Sequence, residues 1–168
     1  MADLNVALAV SKEAIEHLIA SGERTGSAWG VARAPGKWSP SQIVEHVARS
    51  LEESANMAAG QPSKLLKLPA VVHPITRGLL FRRVLRKSGF FKAKTNKAMD
   101  PASGPLTPAE GRARLEAAHR KFDAVCRRLG SHGERMRTTM FGAVPVEDYV
   151  RFMELHTRHH DKQMPDRA

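Results

Sequence analysis

The 168-residue sequence contains a single cysteine, Cys126. One cysteine cannot form an intramolecular disulfide, and it also excludes the cysteine-rich zinc sites of small zinc-binding modules. This composition fits a reducing, cytoplasmic setting. Because Cys126 lies near the apolar residue Phe122 in the sequence, we predict a small buried side chain there rather than a nucleophile.

Aromatic residues are scarce, at 5% of the chain, whereas hydrophobic residues make up 42%. The core must therefore consist mainly of aliphatic side chains and methionine. No stretch approaches 18 consecutive apolar residues, so we expect no membrane-spanning helix. Asp3 lies where a secretion signal would be basic, which predicts that there is no such signal. The length is that of one ordinary domain, and we predict a single domain over residues 1–168.

Acidic residues are absent from residues 60–99, although this stretch holds ten lysines and arginines. The formal net charge of the whole chain is +10. The remainder of the sequence is therefore close to neutral, and the positive charge belongs to one segment. We call residues 60–106, which contain this stretch, the basic insert.

Two predicted helices precede the basic insert. The first spans about residues 4–20, and the glycines at positions 22 and 26 are expected to end it. The second begins at Ser39, which is a favourable N-cap residue. Pro40 follows at the first helical position and Gln42 at the third, which is the pattern of a capping box.

Two further helices are predicted after the basic insert. Thr107, Pro108 and Glu110 repeat the same starting pattern, and Gly130 is expected to end the third helix. Pro145 begins the fourth. Its apolar stripe has spacings of four, three and four, and it consists of Tyr149, Met153, His156 and His160.

The basic insert contains one amphipathic stretch, HPITRGLLFRRVLRKSG, which predicts a short extra helix. A weak strand pattern, TTMFGAVPV, follows the third helix. Four long helices with defined starts predict an all-α fold. We therefore expect a four-helix bundle with a long helix 2 to helix 3 connection that carries a short helix.

Three of the eight histidines lie within residues 153–162. His156 and His160 are one helical turn apart and share a face. His46 lies on the apolar face of the second helix, and in a bundle these faces meet. Neutral imidazoles bind Zn²⁺ and similar ions, and three of them leave a fourth position for water or substrate. The alternative from spacing alone is a set of packed or solvated histidines.

Two segments resemble the signatures of the DinB-like superfamily of metal-dependent four-helix bundles. KWSPSQIVEHVARSLEE is similar to the first, and YVRFMELHTRHHDKQ, about 110 residues later, is similar to the second. The resemblance implies His46, His156 and His160 as ligands of a divalent metal, Zn²⁺ or Ni²⁺. His159 is a competing candidate, ranked lower because His160 continues the stripe through Tyr149.

The resemblance also implies a chemistry. Characterised members of the superfamily include thiol S-transferases and a maleylpyruvate isomerase, which use low-molecular-weight thiols. We therefore expect a metal-dependent transferase or hydrolase that activates a thiol or water for attack on a small-molecule substrate. Relatives often dimerise, so a homodimer is expected by analogy. A purely structural metal between the second and fourth helices is a further alternative.

A different class of function is a binding module that uses the basic insert. Its amphipathic stretch has cations beside an apolar side, as in helices that lie on anionic membrane surfaces. Nucleic acid is the less favoured partner, because the sequence has no RNA-binding aromatic signature and no zinc-finger spacing. Packing of the apolar side on the bundle is the simpler interpretation.

A few single residues complete the predictions. Trp38 is interpreted as a packing anchor where the second helix begins. Glu45 is expected to point away from the site. Asp161 and Gln163 are candidates to orient a ligand, but a solvated surface role is the preferred interpretation for each of these residues. Solvated histidines are predicted at three positions, His17, His73 and His132.

Overall fold

The computed structural model describes residues 3–90 and 97–165. Four long helices form a bundle in which α2 packs mainly on α5, and α1 packs on α6 and α5. The all-α bundle expected from the sequence is confirmed. The α-helices in chain order are α1 (Leu4–Arg24), α2 (Pro40–Ala58), α3 (His73–Thr76), α4 (Arg82–Lys87), α5 (Pro108–Ser131) and α6 (Val146–Asp161).

The connection between α2 and α5 carries the extra helix that the sequence predicts. A π-helical turn, Arg77–Phe81, joins α3 to α4, so that the backbone is helical from residue 73 to residue 87. Short 3-10 turns lie at Gly26–Ala28, Ala70–Val72 and Lys97–Met99. The weak strand pattern forms a hairpin in which β1 (Met136–Thr138) pairs antiparallel with β2 (Gly142–Val144).

The start of α2 has the predicted capping box. The hydroxyl of Ser39 accepts a hydrogen bond from the Gln42 amide, and the Gln42 side chain accepts one from the Ser39 amide at 3.0 Å. At the start of α5 only half of the pattern forms. The Thr107 hydroxyl accepts from the Glu110 amide, but the Glu110 carboxylate accepts from the amide of Leu106 instead.

Two helix ends lie close to the predicted positions. Helix α1 ends at Arg24, between the two glycines expected to end it, and α5 ends at Ser131, one residue past Gly130. Gly22 lies under the ring of Trp29, where an added Cβ would be 3.0 Å from the ring. Its small size therefore allows a close contact between segments, a role that a local sequence pattern does not distinguish from helix termination.

The side chains of the connecting helix face the bundle as predicted. Phe81 and Val84 are buried, and Phe81 packs against Phe141 and Phe152. Cys126 is fully buried, as expected, and this burial raises the pKa of its thiol to about 12. Among the described helices, none combines the length and apolar character that crossing a bilayer requires.

Candidate metal centre

Three imidazole rings from two helices meet inside the bundle. His46 projects from α2, and His156 and His160 project from α6. The Nε2 atom of His156 lies 3.3 Å from Nε2 of His46 and 3.2 Å from Nε2 of His160. The structure thus brings together the three candidate ligands, although His46 and His156 are 110 residues apart in the chain.

The spacing of these nitrogen atoms matches a metal site. One candidate ligand atom from each of the three residues lies within 4.8 Å of the others. Imidazole nitrogens bind zinc at about 2.0–2.1 Å, so two of them in a tetrahedral site are about 3.3 Å apart. The two Nε2–Nε2 distances from His156 have this value.

Hydrogen bonds on the far side of two rings fix which nitrogen faces the cluster. Nδ1 of His46 lies 2.8 Å from the carbonyl oxygen of Met99, and Nδ1 of His160 lies 3.1 Å from Oε1 of Gln163. Because carbonyl oxygens only accept, both Nδ1 atoms must carry the proton. In the neutral rings, the Nε2 atoms of His46 and His160 therefore present lone pairs toward His156.

The third ring shows why the cluster fits a cation. A proton on Nε2 of His156 can bridge to only one of the two lone pairs at a time. In that tautomer Nδ1 of His156 would be an acceptor, and this buried atom has no hydrogen-bond partner within residues 3–90 and 97–165. A divalent cation that accepts all three Nε2 lone pairs satisfies the three facing nitrogens at once, and Nδ1 of His156 would then carry the proton.

Burial keeps the imidazoles in the neutral form that a metal requires. It lowers the pKa of His46, and it lowers the pKa of His156 well below its ordinary value. Burial, followed by repulsion from His46 and His159, lowers the pKa of His160 to about 3. Near neutral pH, a metal ion therefore does not have to compete with protons for these three nitrogens.

His159, the competing candidate, has a different environment. Its Nε2 atom lies 3.0 Å from Nε2 of Gln163, whose amide donates the hydrogen bond. The same Gln163 side chain therefore holds His160 through its oxygen and His159 through its nitrogen. This arrangement occupies the lone pair of His159, and it supports the lower rank of His159 as a candidate ligand.

Two aromatic rings flank the three imidazoles. The Trp38 ring lies over His46 and His160, at centroid distances of 4.7 and 5.8 Å, and its indole N–H donates to Asp100. On another side, the ring of Phe90 lies 5.3 Å from that of His156. Trp38 was interpreted as a packing anchor, with a wall of the substrate site as the less favoured alternative, and its indole contacts two of the candidate ligands.

Several groups near the site were not evident from the sequence. The Met99 carbonyl has no side-chain signature, and Phe90 lies 66 residues from His156 in the chain. Glu45 points away from the cluster, as expected, and pairs with Arg49 and Arg114.

The remaining predictions on single residues had mixed outcomes. Oδ1 of Asp161 is buried and has no hydrogen-bond partner in the described chain. His17 and His132 are exposed, as predicted. The prediction for His73 is wrong, because this ring is half-buried and its Nε2 lies 3.0 Å from the Leu68 carbonyl oxygen and 3.2 Å from that of Thr139.

The fold and the site define a helical bundle with a buried three-histidine cluster suited to a divalent cation. A family model described as the DinB superfamily matches residues 11–164, and the chain belongs to this superfamily. The resemblance of the two histidine-bearing segments is thus confirmed over most of the sequence. Comparison with curated proteins and with solved structures gave no significant match.

Proposed function

We propose that the protein holds one divalent metal ion, Zn²⁺ or Ni²⁺, on His46, His156 and His160. The observation that carries the proposal is the convergence of three Nε2 atoms, with two neighbouring pairs at 3.2–3.3 Å. Membership of a metal-associated superfamily supports it. Three protein ligands are typical of a catalytic site, whereas structural zinc sites usually have four.

We further propose that the site belongs to a metal-dependent transferase or hydrolase whose nucleophile is a low-molecular-weight thiol or water. When bound, a divalent cation acts as a Lewis acid and lowers the pKa of a thiol or water that shares its coordination. Met99 and Gln163 hold the ligand rings in one orientation. Trp38 and Phe90 cover two sides of the cluster with apolar surface, which limits the access of bulk water.

The first experiment measures metal content of the natively purified protein by elemental analysis. We expect about one equivalent per chain, and loss of that metal in His46→Ala, His156→Ala and His160→Ala variants. The double variant His17→Ala/His132→Ala is the matched control, since both rings are exposed and lie outside the cluster. Metal content that survives in all three ligand variants would contradict the proposal.

The second experiment tests the thiol. Protein reconstituted with Co²⁺ is titrated with a low-molecular-weight thiol, and the near-ultraviolet and visible absorption is recorded. A saturable new band that is absent from the His156→Ala protein supports thiol binding at the open position. If stoichiometric Co²⁺ binds and no thiol changes the spectrum, the metal site stands and the thiol chemistry is wrong.

A further inference from the structure

One surface of the molecule combines exposed apolar side chains with cations. It lies on the helical segment that runs from Ala70 to Lys87 within the basic insert. Val71, Ile75 and Leu79 are 80%, 59% and 73% exposed, although each is a large aliphatic residue. Their spacing of four residues places them along one side of a helix.

These exposed residues are not needed for packing on the bundle. Phe81 and Val84 supply the buried contacts of the same helical segment, at 2% and 0% exposure. The helical segment is therefore apolar on the side that packs on the bundle and also on part of the side that faces solvent. Exposure of three neighbouring large aliphatic side chains to water is unfavourable, so these residues point to a partner that covers them.

The charge beside them is mainly positive. Arg82, Arg86 and Lys87 are exposed at the C-terminal end of the same segment. Along the chain, the nearest acidic residues to the segment are Glu53 and Asp100, and in space the Asp148 carboxylate of α6 interacts electrostatically with Arg82. The partner must therefore combine negative charge with an apolar layer below it.

We propose that this outer surface, which we call the docking face (Val71, Ile75, Leu79, Arg82, Arg86 and Lys87), binds the surface of an anionic phospholipid bilayer. The aliphatic side chains enter the boundary between head groups and acyl chains, and the cations pair with lipid phosphates. This proposal is independent of the metal site.

Other occupants fit the docking face less well. A second copy of the chain would bring like charges together across a symmetric interface, and like-charge contacts oppose association. Nucleic acid offers phosphates to the cations, but phosphate contacts use charged and polar groups and leave the three aliphatic side chains without a role. The bilayer surface uses both parts of the docking face.

The experiment is co-sedimentation of the 168-residue chain with vesicles. Vesicles of equal parts phosphatidylglycerol and phosphatidylcholine are compared with vesicles of phosphatidylcholine alone. We expect partition into the anionic vesicles only, weakened by raised salt because the phosphate contacts are screened. The triple variant Val71→Ser/Ile75→Ser/Leu79→Ser should bind at least about tenfold more weakly, because binding strength scales with buried apolar area.

Matched control variants separate the docking face from the general character of the chain. Val6, Val31 and Leu106 are 60%, 61% and 85% exposed elsewhere, so their triple serine variant loses similar apolar surface. This control should partition like the unmodified protein. The role of the cations is tested with the triple variant Arg82→Gln/Arg86→Gln/Lys87→Gln. Its matched control replaces three exposed arginines outside the docking face, Arg24→Gln/Arg33→Gln/Arg128→Gln.

Four results would overturn the proposal. The first is absence of binding to anionic vesicles, and the second is equal binding to neutral ones. The third is equal loss in the two apolar triple variants. The last is a dimer in analytical ultracentrifugation that only the docking-face variants dissociate, because a second copy would then be the occupant. Circular dichroism melting confirms that each variant is folded.

Discussion

Gln163 forms hydrogen bonds to two adjacent histidines with the two ends of one amide. Its Oε1 atom lies 3.1 Å from Nδ1 of His160, and its Nε2 atom lies 3.0 Å from Nε2 of His159. The amide thereby directs the free nitrogen of His160 into the cluster and occupies the free nitrogen of His159. One side chain thus discriminates between two neighbouring candidate ligands.

Replacement of Gln163 should therefore weaken metal binding. In Gln163→Leu, His160 loses its orienting acceptor and His159 becomes free to compete. We expect the affinity for Zn²⁺ to fall about 10–100-fold, as is typical when a ligand histidine loses its outer partner. Competition with a chromophoric chelator measures the change. The control is Gln61→Leu, the same change at an exposed position; equal affinity in the two variants would contradict this role.

Substitution of His159 tests whether the hydrogen bond from Gln163 keeps this histidine out of the metal site. His159→Asn should leave the zinc affinity unchanged, because the lone pair of this ring is already taken by the Gln163 amide. His160→Asn should abolish tight binding, since it removes a ligand. A loss of affinity in His159→Asn as large as that in His160→Asn would assign the ligand role to His159 instead.

The metal-free protein should lose stability in mild acid. The folded state lowers the pKa of His46, His156 and His160 below 6.5, so the unfolded chain binds more protons as the pH falls through 6.5. The free energy of unfolding therefore decreases with falling pH, by at most about 1.4 kcal/mol per pH unit for each imidazole. Urea denaturation in the presence of a chelator, between pH 7 and about 5, measures the slope.

The ligand variants provide the control for this pH dependence. His160→Asn, measured over the same range, should have a shallower slope, because one imidazole with a lowered pKa is missing. Above pH 6.5 the contribution is fully present and the curve should be flat. A metal-free protein whose stability does not change between pH 7 and about 5 would contradict the buried, neutral state of the cluster.

Two glycines of α5 should respond differently to alanine. Both substitutions favour the helix by about 1 kcal/mol through intrinsic propensity. At Gly111 the new Cβ would lie 2.6 Å from the buried ring of Trp29, which cannot move without repacking. At Gly130 it would meet only the end of the flexible Leu4 side chain.

We therefore expect Gly111→Ala to destabilise the protein by about 1–3 kcal/mol and Gly130→Ala to be neutral or stabilising. Thermal melting of the two variants side by side gives the comparison. Equal melting temperatures for both would show that the Trp29 ring has more freedom than its burial indicates.

Metal binding should change the fluorescence of Trp38 more than that of Trp29. Trp38 lies over two candidate ligands, whereas Trp29 packs against Gly22 and Gly111 and donates its indole N–H to the Pro105 carbonyl. Addition of Ni²⁺ or Co²⁺ should quench mainly the fluorescence of Trp38. The change should persist in Trp29→Phe and be largely lost in Trp38→Phe, and the opposite result would place the metal elsewhere.

Local sequence patterns predicted the parts of the fold that local physics decides. The Ser39 capping box and the apolar stripe of α6 depend on residues within a few positions of each other, so the sequence shows them directly. Gly22 and Gly130 lie within the last turn of their helices and not beyond it, because those glycines make room for Trp29 and Leu4, which are tertiary neighbours. The π-helical turn at Arg77–Phe81 also has no local signature that we recognised.

In the candidate site, too, some features could be predicted from the sequence and others could not. The positions of His46, His156 and His160 on apolar helix faces made them candidates, and the resemblance to the DinB-like signatures selected them as the expected ligands. The groups that hold them in place were less visible, since the acceptor for His46 is the main-chain carbonyl of Met99. For His159, the spacing alone left the ligand question open, and only the position of the Gln163 amide distinguishes it from His160.

The distance along the chain between His46 and His156 has a mechanical consequence. A cation held by both would close a loop of about 110 residues and so restrict the unfolded polypeptide much as a covalent cross-link does. A disulfide that spans such a loop is credited with about 4–5 kcal/mol from chain entropy alone. The chain has one cysteine and cannot form an internal disulfide. The ion would therefore supply the cross-link between its N-terminal and C-terminal halves.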